Sequence, residues 1–228
     1  MPVMTVCGAR ESASFTRLDA HNHVWIAPVP GGAADAPVLD RVNEIRLELF
    51  DFRTAGGQGL VDCQPGGCGR DANLLQRLSS QSGVAIIACT GFHLSRYYPP
   101  ERDPRLLSAN AAAAQWSAEI TQGMRESLQS SAPVRAGYVK AALEADLKDS
   151  ALTALEGAAQ AALQSGAALA IHTQKGAAVE EALAFLASLG LPPSRIILFH
   201  MDKRPDRSLL RELAQRGALL EIDTFYRE

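Results

Sequence analysis

No run in this sequence approaches the ~18 apolar residues that a membrane span needs, so no membrane partner is expected. A basic excess is missing too. Lys and Arg number 22 against 25 Asp and Glu, a formal charge of −3 with a pI near 6.0, which leaves no electrostatic footprint for nucleic acid. Residues 1–10 lack the basic start and apolar core of a secretory signal, so the cytoplasm is the expected compartment. Cysteine is scarce. Cys7, Cys63, Cys68 and Cys89 are all there are, and without an export signal they argue for buried or loop thiols over a disulfide framework. Cys63 and Cys68 could form half a zinc site, but no second close Cys or His pair follows. The dinucleotide fingerprint G-x-G-x-x-G is absent as well. Gly66-Gly67-Cys68-Gly69 does not fit it and reads as a tight turn, with a phosphate cradle as the alternative.

What is present is ordinary for a globular protein: 228 residues, 47% hydrophobic and 21% charged, enough for a real core. Apolar stretches at 17–23, 59–63, 84–90, 136–141, 167–172, 196–200 and 218–223 read as strands. Between them run helical patterns: 38–55, a second helix capped by Asp71, 106–129 with a break near Gly123, 152–165, 179–188, and 206–216 capped by Asp206. Leu152, Leu155, Ala159 and Leu163 are expected to form the inward stripe of the fourth helix. Residues 3–15 show little periodicity and read as a lead-in. Strands that alternate with helices and are apolar throughout imply a parallel sheet. Seven strands of equal weight favour a (β/α)8 TIM-barrel type over a doubly wound sheet. A whole barrel has eight strands and typically ~250 residues. The expectation is therefore one barrel domain over 1–228, truncated after strand 7, either a piece of a longer protein or a short chain closing as a homodimer.

In such barrels the chemistry gathers at the C-terminal ends of strands. His21 and His23 close the first strand, Lys140 the fourth, His172 the fifth and His200 the sixth; the fifth histidine, His93, follows the third strand. Side chains two apart in a strand share a face, so His21 and His23 aim at one point, and neutral imidazole is the commonest protein metal ligand. Any one histidine alone reads as a hydrogen-bonded core or surface residue. Four at strand ends read as a metal centre. Lys140 has two readings, a lysine whose head reaches solvent at the rim, or a neutral amine able to add carbon dioxide as a two-oxygen, metal-bridging carbamate.

These residues sit in a series of segments that resembles the phosphotriesterase family (aryldialkylphosphatase and lactonase-like) of the amidohydrolase superfamily. The segments are Asp19-Ala20-His21-Asn22-His23, Val61-Asp62, Gly67-Cys68-Gly69-Arg70-Asp71, Thr90-Gly91-Phe92, Val139-Lys140, Ile171-His172-Thr173, Phe199-His200-Met201-Asp202 and Glu221-Ile222-Asp223-Thr224. The resemblance implies a hydrolase with two divalent metals, usually zinc. His21 and His23 would hold one, His172 and His200 the other, and carbamylated Lys140 would bridge them. It implies a metal-bridging hydroxide that attacks a small-molecule ester, lactone or phosphotriester. Phe92 and His93 fall where such proteins place substrate-binding residues, and Arg96 in the same loop could meet an anionic group. The family's catalytic aspartate at the end of strand eight has no counterpart before Glu228, and Asp223 is expected near the pocket wall at most. Two rivals are a metal-binding but catalytically incomplete barrel or scaffold, and a one-metal, deaminase-like amidohydrolase.

Overall fold

The computed structural model describes residues 2–224. The chain forms two compact units, Met1–Thr90 with Tyr97–Pro100 and Ala118–Tyr138, and Gly91–Arg96 with Glu101–Ser117 and Val139–Glu228.

The first unit opens on an antiparallel hairpin, β1 (Pro2–Thr5) and β2 (Gly8–Glu11), where the sequence suggested only a lead-in. Four-residue strands are too short to display a period, so the pattern was invisible. The turn is tied by Thr5, whose hydroxyl donates to the Gly8 carbonyl at 2.7 Å while accepting from Cys7 N at 3.2 Å. Three parallel strands follow in the order β3 (Leu18–Asn22), β4 (Gly59–Asp62) and β5 (Ala85–Gly91). β4 and β5 are buried as expected, whereas Leu18 of β3 is 42% exposed, so β3 is not apolar throughout. Its register shifts between Asp19 and Asn22.

Helix α1 (Val42–Thr54) begins four residues later than expected. Leu39 is spent elsewhere, exchanging backbone hydrogen bonds with Ile26 at 3.0 and 3.1 Å. Helix α2 (Ala72–Ser82) starts as read, with the Asp71 carboxylate accepting from Leu74 N at 2.9 Å. Leu74, Leu75 and Leu78 are buried. Helix α3 (Ala109–Thr121) is shorter than the 106–129 pattern. Leu106 belongs instead to a 3-10 turn capped by Asp103, and a second such turn, Arg125–Ser127, follows Gly123.

The second unit contains β6 (Tyr138–Ala142) from its second residue onward, β7 (Leu169–His172), β8 (Ile196–Leu198) and β9 (Leu219–Leu220), parallel and in that order. Helices α4 (Leu152–Ser165), α5 (Val179–Ser188) and α6 (Arg207–Gln215) connect them. Asp206 caps α6, accepting from Ser208 N and Leu209 N at 2.9 and 3.1 Å. The α4 stripe differs from expectation. Leu152 and Leu163 are exposed, and the buried face is Ala154, Leu155, Gly157, Ala158, Ala159, Ala161 and Ala162. A Cβ on Gly157 would stand 2.5 Å from Ala112 Cβ and 2.7 Å from Ala109 O. Only small residues permit so close an approach, and Leu152 and Leu163 are turned outward.

The order from β3 onward is strand, helix, strand, helix to β9, the repeat of the (β/α)8 TIM-barrel type. Among the described residues no helix is long and apolar enough to cross a membrane.

Candidate metal centre

In the second unit three parallel strands bring their C-terminal ends to the polar residues. His172 is the last residue of β7, and the ladder continues past β8 through Phe199 N, which donates to Ile171 O at 2.9 Å. His200 then leaves the strand with φ +63°. Non-glycine residues with positive φ are uncommon and worth a look. Here the turn hands both the backbone N–H and the ring of His200 to Asp223. The backbone N–H donates to Oδ1 at 3.1 Å and the ring Nδ1 lies 2.8 Å from Oδ2. The other ring nitrogen, Nε2, is 3.0 Å from Nδ1 of His172. The His93 ring is next in line, its centroid 4.7 Å from that of His172.

Two imidazole nitrogens bound to one tetrahedral zinc at ~2.05 Å lie roughly 3.3 Å apart. The observed 3.0 Å therefore fits a shared divalent cation with a displacement of a few tenths of an ångström. An imidazole whose second nitrogen is held by a carboxylate is also the usual outer arrangement of a metal-bound histidine. His172 and His200 fit a metal on their own geometry.

Lys140 lies in β6 and is completely buried, which removes the reading of a lysine with its head in solvent at the rim. Its backbone is clamped as tightly as its side chain is enclosed. Phe92 N donates to Lys140 O at 3.0 Å, and a Cβ on Gly91 would sit 1.8 Å from that oxygen. Only glycine, here at φ +99°, lets the two backbones approach so closely.

In the first unit, the irregular stretch of β3 is held by Asp19, which accepts from His21 N at 3.1 Å and from Asn22 Nδ2 at 2.8 Å. The rings of His21 and His23 are half-buried, with centroids 5.8 Å apart and tilted by 55°. His23 Nδ1 is 2.7 Å from Gln64 Oε1, and Val24 N donates to the buried carboxylate of Asp62 at 2.8 Å. Tyr138 donates to Asp62 O at 3.1 Å and to Cys63 Sγ at 3.3 Å. Burial, with Cys63, Cys89 and Asp62 nearby, pushes its phenol far above the ordinary range. All four cysteines are free thiols, three of them buried.

Arg70 is the first unit's buried cation. Its guanidinium reaches Glu126 at 2.6 Å, Glu119 at 3.0 Å and Cys89 O at 2.7 Å, while Thr90 Oγ1 donates to Glu119 at 2.7 Å. Burial alone would lower its pKa, but the two carboxylates more than reverse this and hold it raised. The Gly67-Cys68-Gly69-Arg70-Asp71 segment thus places a packing cation and a helix cap.

The substrate residues read from the sequence divide. The Phe92 ring is 2% exposed and stacks on Trp116, centroids 5.7 Å apart and 19° from parallel, so it is committed to packing. His93 Nδ1 accepts from Leu94 N at 2.7 Å, which puts the proton of its neutral ring on Nε2 as a donor. Arg96 is exposed. Sequence reasoning missed Gln64 and the Asp223–His200 bond, whose partners are 41 and 23 residues apart and leave no local pattern.

The phosphotriesterase family model matches residues 1–228. A phospho-furanose lactonase of Mycoplasmopsis agalactiae is 29% identical over 90% of this chain and 61% of its own. An N-acetyltaurine hydrolase of Rattus norvegicus is 28% identical over 95% of this chain and 61% of its own. The chain thus spans about six tenths of the length of these curated relatives. The crystal structure of a lactonase from Listeria monocytogenes superposes with a TM-score of 0.87 over 99% of this chain and 73% of its own, at 19% identity. That likeness is one of fold.

Proposed function

The chain belongs to the phosphotriesterase family, and on that premise we propose that it is the metal-binding part of a hydrolase acting at an acyl carbon, with lactones as the leading substrate class. The observation that carries the reading is the array Asp223–His200–His172, with 2.8 Å and 3.0 Å between successive polar atoms. His172 Nδ1 and His200 Nε2 would hold one divalent cation, zinc in the simplest case. His21 and His23 would be the ligands of a second, and carbamylated Lys140 would be a further metal ligand. When bound, two such ions supply an acidified water and a Lewis acid for the carbonyl oxygen.

The chain's own residues do the positioning. Asp223 fixes the His200 ring by accepting a hydrogen bond from its Nδ1–H, which leaves the lone pair on Nε2. The His93 ring, beside that of His172, would border the substrate. Lys140 is completely buried, away from competing solvent, as a carbamylated ligand would need. The two named relatives act, by their names, on a lactone and on an N-acetyl amide. Attack at an acyl carbon is common to both, which ranks lactones and amides above phosphotriesters here.

The test is turnover by the purified chain, loaded with zinc in the presence of bicarbonate, of a sugar lactone, an N-acetyl amine and a phosphotriester. Lactone hydrolysis that disappears in His200→Ala is expected. Two bound metals without turnover of any of the three would overturn the hydrolase reading in favour of a metal-binding scaffold.

A further inference from the structure

Gln64 is 4% exposed and stands between His23 and the turn at 65–69. Its Nε2 faces the carbonyl oxygen of Cys68 in a short hydrogen bond and the Sγ of Cys68 at 3.2 Å. A backbone carbonyl can only accept. The amide atom that meets it must therefore be the NH2 group, which removes the usual ambiguity in the orientation of a glutamine amide. The other end of the amide, Oε1, is then the atom 2.7 Å from His23 Nδ1. An amide oxygen also can only accept, so His23 Nδ1 must carry a proton. In a neutral imidazole that leaves the lone pair on Nε2.

We infer that Gln64 is a positioning residue that locks His23 in the Nδ1–H tautomer and so presents Nε2 as its ligand atom, the proton chain being anchored on the Cys68 carbonyl. Residues Gly66-Gly67-Cys68-Gly69 then have a job besides turning. Gly67 at φ +82° and Gly69 at φ +107° bend the chain back, and a Cβ on Gly69 would stand 2.7 Å from Ala27 O. Gly69 O accepts from Ala27 N at 2.9 Å. The Cys68 thiol closes the turn by donating to Pro65 O at 3.3 Å while accepting from Gln64. Every donor in the chain from His23 to Pro65 meets an acceptor. The same task is done for His200 by the Asp223 carboxylate. Gln64 does it for His23 without adding a charge.

The inference rests on the metal reading only for its consequence, because the tautomer is a property of the metal-free chain. The experiment is a long-range 1H–15N correlation spectrum of metal-free, 15N-histidine-labelled protein, with His23 assigned by its loss in His23→Asn. The expected result is a single Nδ1–H tautomer for His23 that becomes mixed in Gln64→Leu. Zinc affinity should fall about 10- to 100-fold in Gln64→Leu, with the far-UV circular dichroism of the folded chain unchanged. An Nε2–H tautomer in the unmutated chain, or the same spectrum in Gln64→Leu, would overturn the inference. So would a tautomer shift in Gln64→Leu with unaltered zinc affinity. If the tautomer responds as expected but neither protein binds zinc, the positioning role stands and the metal reading falls.

Discussion

Asp223 accepts from His200 twice, from the backbone N–H at 3.1 Å and from ring Nδ1 at 2.8 Å, across 23 residues of chain. The double bond holds a left-handed backbone turn and a ring orientation together. Asp223→Ala frees both, and zinc affinity is expected to drop about 10- to 100-fold. Competition with a chelator measures it, and a chain whose affinity is unchanged would show that His200 is oriented by something else.

Arg70 is a structural cation, and its removal leaves Glu119 and Glu126 without the group that compensates their burial. Breaking a buried pair by removing one partner costs about 3–5 kcal/mol, so Arg70→Met is expected to be destabilised by that order in urea unfolding around neutrality. The pH dependence has a definite sign. Burial raises the Glu126 carboxyl, but Arg70 more than reverses this and holds it below its ordinary 4.5. A carboxylate depressed in the folded state adds stability above its unfolded pKa, and this is lost as pH falls through the folded value. The gap between the unmutated chain and Arg70→Met should therefore be full above pH 4.5 and close below it.

Gly91 is the position where a single methyl group should do most damage. At φ +99°, with Lys140 O 1.8 Å from an added Cβ, alanine meets both backbone strain and a clash with main chain. Gly91→Ala is expected to cost at least about 2 kcal/mol and to weaken zinc binding by displacing Lys140. Thermal unfolding and zinc titration read the two effects separately.

Complete burial of Lys140 makes its state observable. Reconstitution with zinc and 13C-bicarbonate is expected to give one slow-exchanging carbamate carbon signal, absent from Lys140→Ala, which should also lose two-metal binding. No such signal in a zinc-loaded chain would remove the bridging role from Lys140.

The barrel class was legible in the sequence because it depends on repetition: buried parallel strands are apolar runs, and Asp71 and Asp206 announce their helices through local backbone bonds. The five expected ligands could be named because each lies in a strand or just past its C-terminal end. What stayed hidden depended on distant partners or on close approach. The β1–β2 hairpin is too short to carry a period. Leu155 and Ala159 of the expected α4 stripe are buried, but Leu152 and Leu163 are not, because the close approach at Gly157 selects small residues beside them. Phe92 looked like a pocket residue by position but is held by Trp116, and Gln64 and Asp223 gain their meaning from residues far along the chain. Side-chain partners at such separations leave no trace in local spacing.

The most direct test of the central claim, that His172 and His200 share a divalent metal, is elemental analysis of the purified chain after zinc and bicarbonate loading and desalting, beside His172→Ala and His200→Ala. Two equivalents of zinc in the unmutated chain, falling to one or fewer in each variant, is the expected result. A chain that retains no zinc, or variants that retain as much as the unmutated protein, would contradict it.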